Sequence, residues 1–131
     1  MLQSIKYQVP TIVWAVIILV LCNMPIKNVT KAVHFFEGFD KVVHLGLFFV
    51  LTVSLFNGRS RELKTYNYKI LTLFKIVVLT FLMGGLIELL QWKFFIYRSG
   101  EWWDLFADMT GVGMAIFSYI ATHKKLDFSF D

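Results

Sequence analysis

Residues 70–90 read ILTLFKIVVLTFLMGGLIELL, an apolar stretch in which only Lys75 and Glu88 carry a charge. A helix needs about 20 residues to cross the roughly 30 Å of hydrocarbon in a bilayer. Further apolar stretches lie on both sides, so that spanning helices are predicted at about residues 9–24, 39–56, 70–95 and 103–121. The sequence therefore predicts an all-α integral membrane protein with four transmembrane helices, in one domain over residues 1–131.

The composition agrees with a membrane protein. Of the 131 residues, 57% are hydrophobic and 17% are charged, whereas soluble domains have about 45–50% apolar and about 25% charged residues. The net charge of +4 does not indicate nucleic-acid binding, because the basic residues cluster between apolar segments, as topology signals and contacts to anionic lipids do. Cys22 is the only cysteine, which excludes an intrachain disulfide and a cysteine-based zinc cluster.

The first apolar segment also has an interpretation as a cleaved signal peptide. Small residues are needed before a cleavage site, but Leu19, Leu21 and Cys22 occupy the corresponding positions. We therefore predict an uncleaved helix with Pro10 in its first turn, where proline is tolerated. The pair Asn57-Gly58 is expected to end the second helix.

The distribution of lysine and arginine predicts the orientation of the chain. Eight basic residues fall on one side of the predicted membrane and five on the other. The larger group is Lys6, Arg59, Arg61, Lys64, Lys69, Lys75, Lys124 and Lys125, and the smaller is Lys27, Lys31, Lys41, Lys93 and Arg98. Because basic loops stay on the cytoplasmic side, both termini are predicted to be cytoplasmic, in a multi-pass protein of the bacterial cytoplasmic membrane.

Polar residues recur at the predicted outer ends of helices two, three and four. Ionisable groups in a span cost about 2.5–3.5 kcal/mol on insertion scales, so they usually face other helices or a wet cavity. Residues three or four apart share a helix face, which pairs Asp40 with His44, Glu88 with Gln91, and Asp104 with Asp108. The predicted ligand-binding pocket comprises Asp40, Lys41, His44, Glu88, Gln91, Arg98, Asp104 and Asp108.

Tryptophans and small residues border this predicted pocket. Aromatic side chains favour the membrane–water interface, and an aromatic rim is predicted from Trp92, Trp102 and Trp103. Small residues let membrane helices approach closely, and the packing positions predicted on this basis are Gly84, Gly111 and Ala115.

The ordered set of motifs resembles the VanZ-like family, whose founder is associated with teicoplanin resistance. The family pattern is approximately Asp-Lys-x-x-His in the second helix, Glu-x-x-Gln in the third, and an Arg before an Asp-x-x-x-Asn-x-x-Gly helix. This sequence matches it, over about residues 10–120, with Asp40, Lys41, His44, Glu88, Gln91, Arg98, Asp104 and Gly111. It departs at Asp108, where the family usually has Asn. The resemblance implies a small polytopic envelope protein and says little about its chemistry.

An outward polar pocket with an aromatic rim suits a lipid headgroup, a lipid-linked wall precursor or a glycopeptide, because rims hold apolar bodies and polar groups fix orientation. The resemblance adds glycopeptide tolerance as an expected trait. Membrane lipids and such a ligand are the predicted partners. The alternative is a structural protein in which the polar cluster only fixes helix packing.

A third interpretation is a metal-dependent or acid–base membrane enzyme that acts on a lipid-linked substrate. His44, Glu88 and Asp108 are the candidate ligands for a divalent metal. However, their spacing matches no metalloprotease motif, and neither a Ser or Cys nucleophile nor a phosphate-binding glycine loop stands out. The residues therefore favour binding over catalysis, with no cofactor expected and no catalytic residue assigned.

Overall fold

Long helices make up most of the described residues, and a short strand follows the second helix and the fourth helix. The structure is a computed structural model that describes residues 2–24, 38–94, 101–123 and 126–127. The elements in chain order are α1 (Leu2–Asn23), α2 (Phe39–Leu63), β1 (Tyr68–Lys69), α3 (Ile70–Phe94), α4 (Trp102–His123) and β2 (Leu126–Asp127). The two strands pair in parallel, which joins the segment before α3 to the segment after α4.

The four described helices are each long and apolar enough to cross a membrane. At 1.5 Å per residue, 22 to 25 residues extend about 33–38 Å. Their outer surfaces are apolar, with Phe74, Leu82 and Phe117 each more than 60% exposed. Such a surface would promote aggregation in water and suits lipid. The predicted fold class, an all-α membrane protein with four spanning helices, is confirmed.

The helices α2 and α4 form the most extensive packing in the fold, and α1 covers a further face of α2. By contrast, α3 contacts mainly α4. The core between these helices contains Phe48 and Leu51 of α2, Ile18 of α1, Ile87 of α3 and Val112 of α4. In a soluble protein, the hydrophobic effect drives the burial of such side chains. In lipid that driving force is absent, and close packing of the side chains stabilises the contacts between helices instead.

Gly111 sets the closest approach of α2 and α4. A Cβ atom at this position would overlap the carbonyl oxygen of Leu45, so only glycine fits against the backbone of α2. Gly84 plays the same part between α3 and α4, since a Cβ there would lie 2.9 Å from Leu105 Cδ1. Ala115 is fully buried one turn beyond Gly111. These observations place the predicted packing positions at helix contacts.

Two helix ends differ from the prediction. The first helix begins at Leu2 instead of residue 9, so Pro10 lies inside it and not in its first turn. The second continues beyond Asn57-Gly58 to Leu63. The reason is that the two polar extensions pair with each other: Ser4 donates a hydrogen bond to Glu62. The side chain of Gln8 occupies the space where a Cβ of Gly58 would lie, so this glycine serves packing and does not end the helix.

Candidate functional site

The polar residues of three helices meet at one end of the bundle, which we call the polar end: the start of α2, the last turns of α3 and the start of α4. Local backbone geometry positions them. Gly38 adopts a left-handed conformation just before α2, and its carbonyl accepts hydrogen bonds from the backbone N–H groups of Lys41 and Val42. At the start of α4, the carbonyl of Glu101 accepts a hydrogen bond from the N–H of Asp104.

Lys41 links α2 to the start of α4. Its Nζ lies 3.1 Å from Glu101 Oε2, 3.3 Å from Asp104 Oδ1 and 3.5 Å from Asp40 Oδ2. Asp104 is buried, and its Oδ1 has the charge contact with Lys41 but no hydrogen bond within the described residues. The ammonium group therefore balances carboxylates from two helices and stabilises the contact between α2 and α4.

His44 and Asp108 form a buried pair between α2 and α4. The distance from His44 Nδ1 to Asp108 Oδ1 is 3.0 Å, and the side chains are 3% and 0% exposed. The second carboxylate oxygen of Asp108 has no hydrogen-bond partner among the described residues. Cys22 of α1 lies within hydrogen-bonding reach of the same imidazole. The pair thus occupies the interior of the polar end.

Glu88 of α3 faces this pair from the third side. Its Oε2 accepts a hydrogen bond of 2.8 Å from the backbone N–H of Glu101, whereas its Oε1 is buried without a partner in the described part of the chain. One ligand atom each from His44, Glu88 and Asp108 lies within 4.8 Å of the other two. The three candidate metal ligands of the sequence are therefore brought together, each from a different helix.

Gln91 binds a different part of the chain from Glu88, which precedes it by one turn of α3. It is buried, and its Nε2 donates a hydrogen bond of 2.7 Å to the carbonyl of Cys22 on α1. This contact joins α3 to α1 at the polar end. Arg98, the remaining member of the predicted pocket, lies outside the described residues.

A pocket of about 550 Å³ opens between α3 and α4 beside the polar end. Its walls are mainly apolar, and Glu88 and Glu101 supply its carboxylates; the lining residues are Phe81, Gly85, Glu88, Leu89, Trp92, Glu101, Trp102 and Leu105. Trp92 and Trp102 are 71% and 84% exposed at its border. Trp103 is not among the lining residues, and its ring instead packs edge-on against Phe106.

Glu101 is a residue of the site that was not predicted from the sequence. This residue lines the pocket, binds Lys41 through its side chain and binds Glu88 through its N–H. A signal was available, since it directly precedes α4, where acidic side chains are favoured by the helix dipole. Glu101 is three residues before Asp104, but it precedes the predicted start of the fourth helix at residue 103 and was therefore not assigned to a helix face.

Comparison with known proteins identifies the family of the chain. The VanZ/LLP1 family model matches residues 3–123. The chain belongs to the VanZ/LLP1 family. No curated protein and no solved structure matches it. As a VanZ/LLP1 protein with four helices long enough to span a bilayer, it is a multi-pass membrane protein.

The structure shows the consequence of an Asp at position 108, where the resemblance described above leads us to expect an Asn. An Asn has an amide group that donates hydrogen bonds, but an Asp side chain in its ionised form only accepts them. The change therefore leaves Oδ2 as an acceptor without a donor in the fully buried interior. A buried acceptor without a partner is costly, and Oδ2 of Asp108 is one of several such atoms at the polar end.

Proposed function

We propose that this protein lies in the bacterial cytoplasmic membrane with both termini in the cytoplasm and binds an amphipathic envelope molecule in the pocket between α3 and α4. The observation that carries the proposal is the division of that pocket into an apolar wall and an acidic end. Ligand sites are commonly apolar clefts with a few polar groups that fix orientation. A lipid, a lipid-linked wall precursor and an acylated glycopeptide share this division into tail and head.

The apolar part suits the tail of such a molecule. Phe81 and Leu89 line the pocket and are each nearly half exposed on the surface that faces lipid. A tail can therefore pass from the bilayer into the pocket sideways, without crossing the polar end. Trp92 and Trp102 would cover the tail next to its head, because their rings combine an apolar body with a polar N–H group.

The acidic end selects the chemistry of the head. Carboxylates accept hydrogen bonds and donate none when ionised, so Glu88 and Glu101 favour a head that presents N–H or O–H groups. Sugars, peptides and ethanolamine all do so. For this family, whose founder is associated with teicoplanin resistance, the functional consequence we propose is tolerance to glycopeptides, through binding of the antibiotic or of its wall target.

The first test compares Trp102→Ala with Trp103→Ala. Both tryptophans are strongly exposed at the start of α4, but only Trp102 lines the pocket. We expect Trp102→Ala to weaken teicoplanin binding by about tenfold, or about 1.4 kcal/mol, and Trp103→Ala to leave it unchanged. The measurement is saturation binding of teicoplanin, and of vancomycin, which lacks the acyl tail, to the protein in nanodiscs. The same variants are scored for teicoplanin susceptibility of a Gram-positive host at matched expression.

Equal binding by Trp102→Ala, Trp103→Ala and wild type would contradict the use of this pocket. Stronger binding of vancomycin than of teicoplanin would contradict a role for the tail.

A structural role of the polar cluster has separate support in the contacts of Lys41. This residue joins Asp40 of its own helix to Glu101 and Asp104 beside the pocket. The two functions are compatible, because Lys41 is not among the residues that line the pocket.

A further inference from the structure

We propose that His44, Glu88 and Asp108 form a binding site for a divalent transition-metal cation of the Zn²⁺ type. The site lies at the polar end, beside the pocket between α3 and α4. It stands on the geometry of these three side chains and does not depend on the identity of the pocket's ligand.

The first observation is the convergence of three ligand types from three helices. One nitrogen of His44 and one oxygen each of Glu88 and Asp108 lie within 4.8 Å of one another. Bonds of about 2.0–2.2 Å to Zn²⁺ place two ligands of a tetrahedral site about 3.3–3.6 Å apart. His44 Nδ1 and Asp108 Oδ1, at 3.0 Å, are already near that spacing. Glu88 lies within 4.8 Å of both ligand atoms, and its side chain has one more rotatable bond than that of Asp108 with which to complete the set.

The second observation is independent of the first and concerns the oxygens that have no partner. Asp108 is 0% exposed, and its Oδ2 accepts no hydrogen bond from any described residue. This oxygen points to α3, since it lies 3.0 Å from where a Cβ of Gly84 would be. Glu88 is one turn farther along α3, and its Oε1 is also buried without a partner in the described part of the chain. One cation would satisfy both oxygens.

The ion pairs at the polar end also favour a bound cation. Lys41 contacts Asp40, Glu101 and Asp104, and no ion pair within the described residues connects it to Glu88 or Asp108. The partner that the described residues offer Asp108 is the imidazole of His44. Taking a carboxylate out of water costs several kcal/mol unless it is paired. A histidine that binds a metal is neutral, and with His44 neutral no described ion pair balances Asp108 or Glu88. A divalent cation would then supply the missing positive charge.

The donor set indicates the class of metal. A site with imidazole nitrogen and carboxylate oxygens suits Zn²⁺ and neighbouring first-row cations, whereas Mg²⁺ and Ca²⁺ prefer oxygen ligands alone. Three protein ligands leave a tetrahedral cation with one open position. Because Glu88 also lines the pocket, that position is directed to the head of a bound molecule. In that case an anionic oxygen of the head, such as a phosphate oxygen, becomes an additional ligand.

The test measures metal binding by the full chain without any envelope ligand. The protein is purified in detergent with a tag that contains no histidine, stripped with EDTA and dialysed. Zn²⁺ is then titrated by calorimetry, and Co²⁺ by its visible absorption. We expect one ion per chain and a higher melting temperature with Zn²⁺. Loss of an outer contact to a metal site already lowers affinity by about 10–100-fold, so we expect Glu88→Gln and Asp108→Asn each to lower it at least as much.

Glu62→Gln is the matched control, because Glu62 is a carboxylate at the opposite end of α2, paired with Arg59 and Ser4. It should bind Zn²⁺ as the wild type does. Asp108→Asn has nearly the same shape as the natural side chain, so it separates loss of a ligand from loss of the fold. The proposal is overturned if folded wild type shows no saturable binding, or if Glu88→Gln and Asp108→Asn both bind Zn²⁺ as well as Glu62→Gln does. It is also overturned if Zn²⁺ binds to the Arg98→Gln variant but not to the wild type. In the wild type, Arg98 would then supply the positive charge that the proposal assigns to the cation. None of these results would contradict the proposed binding of teicoplanin, which the tryptophan variants test separately.

Discussion

At the scale of single residues, Lys41 reduces the repulsion among three carboxylates at the polar end, because its ammonium group lies next to each of them. They belong to Asp40, Glu101 and Asp104. Lys41 is one-third exposed, while Asp104 beside it is nearly buried. An exposed ion pair contributes about 0–1 kcal/mol, whereas removal of one partner from a buried pair costs about 3–5 kcal/mol. We expect the free-energy contribution of the contact between Lys41 and Asp104 to lie between these limits, because Asp104 is buried and Lys41 is not.

We therefore expect Lys41→Met to lower the free energy of unfolding by about 1–3 kcal/mol. The change removes the charge and keeps a side chain of similar length, so that Asp104 loses its counter-charge. Thermal unfolding in detergent measures the effect. The control is Lys93→Met in the last turn of α3, at an exposed position, which should change stability little.

A second variant separates charge from packing. Adding Asp104→Asn to Lys41→Met removes the unpaired carboxylate, and the double variant should recover part of the lost stability. A double variant less stable than Lys41→Met alone would contradict the pairing.

At the scale of elements, the sequence predicted which helix faces are polar but not where every helix ends. The i, i+4 spacing of Asp40 with His44 and of Asp104 with Asp108 predicts shared faces, because helical periodicity is a local property. In the structure, Asp104 and Asp108 of α4 contact Lys41 and His44 of α2. The extension of α2 past Gly58 depends instead on Gln8 and Glu62, which pair with residues far away in the chain. Glu101 was not predicted because it precedes the predicted start of the fourth helix, and its partners lie on other elements. Such tertiary contacts override local signals.

The crossing of α2 and α4 provides a prediction at this scale. Gly111→Ala adds a methyl group where the carbonyl of Leu45 lies, and backbone cannot move aside as a side chain does. We expect a loss of about 1–3 kcal/mol or more, measured by thermal unfolding. Gly113→Ala is the control, since nothing lies within 4 Å of its added Cβ. It should stabilise the protein by up to about 1 kcal/mol, because alanine favours helix more than glycine does.

An equal effect of the two alanine substitutions would contradict the close approach at Gly111. In that case the loss or gain would reflect helix propensity alone.

At the scale of the whole molecule, the helices are joined unequally. α2 is packed between α1 and α4, whereas α3 is held mainly by α4. At the polar end, Gln91 and Glu88 add hydrogen bonds from α3 to α1 and to the start of α4. The pocket lies at this more open boundary, between α3 and α4. The same arrangement that leaves room for a ligand also gives it a route from the lipid.

The central claim is that this pocket is a binding site, and the most direct test is to fill it. Gly85 lines the pocket with nothing within 4 Å of an added Cβ, so Gly85→Leu occupies the space without a clash at the first carbon. Gly113→Leu adds the same side chain to an exposed position of α4.

The measurement is saturation binding to nanodiscs of teicoplanin, a lipid-linked wall precursor and phosphatidylethanolamine. We predict that at least one of these molecules binds wild type and Gly113→Leu alike and that Gly85→Leu, equally stable, does not bind it. Failure of all three to bind wild type, or undiminished binding by Gly85→Leu, would contradict the account.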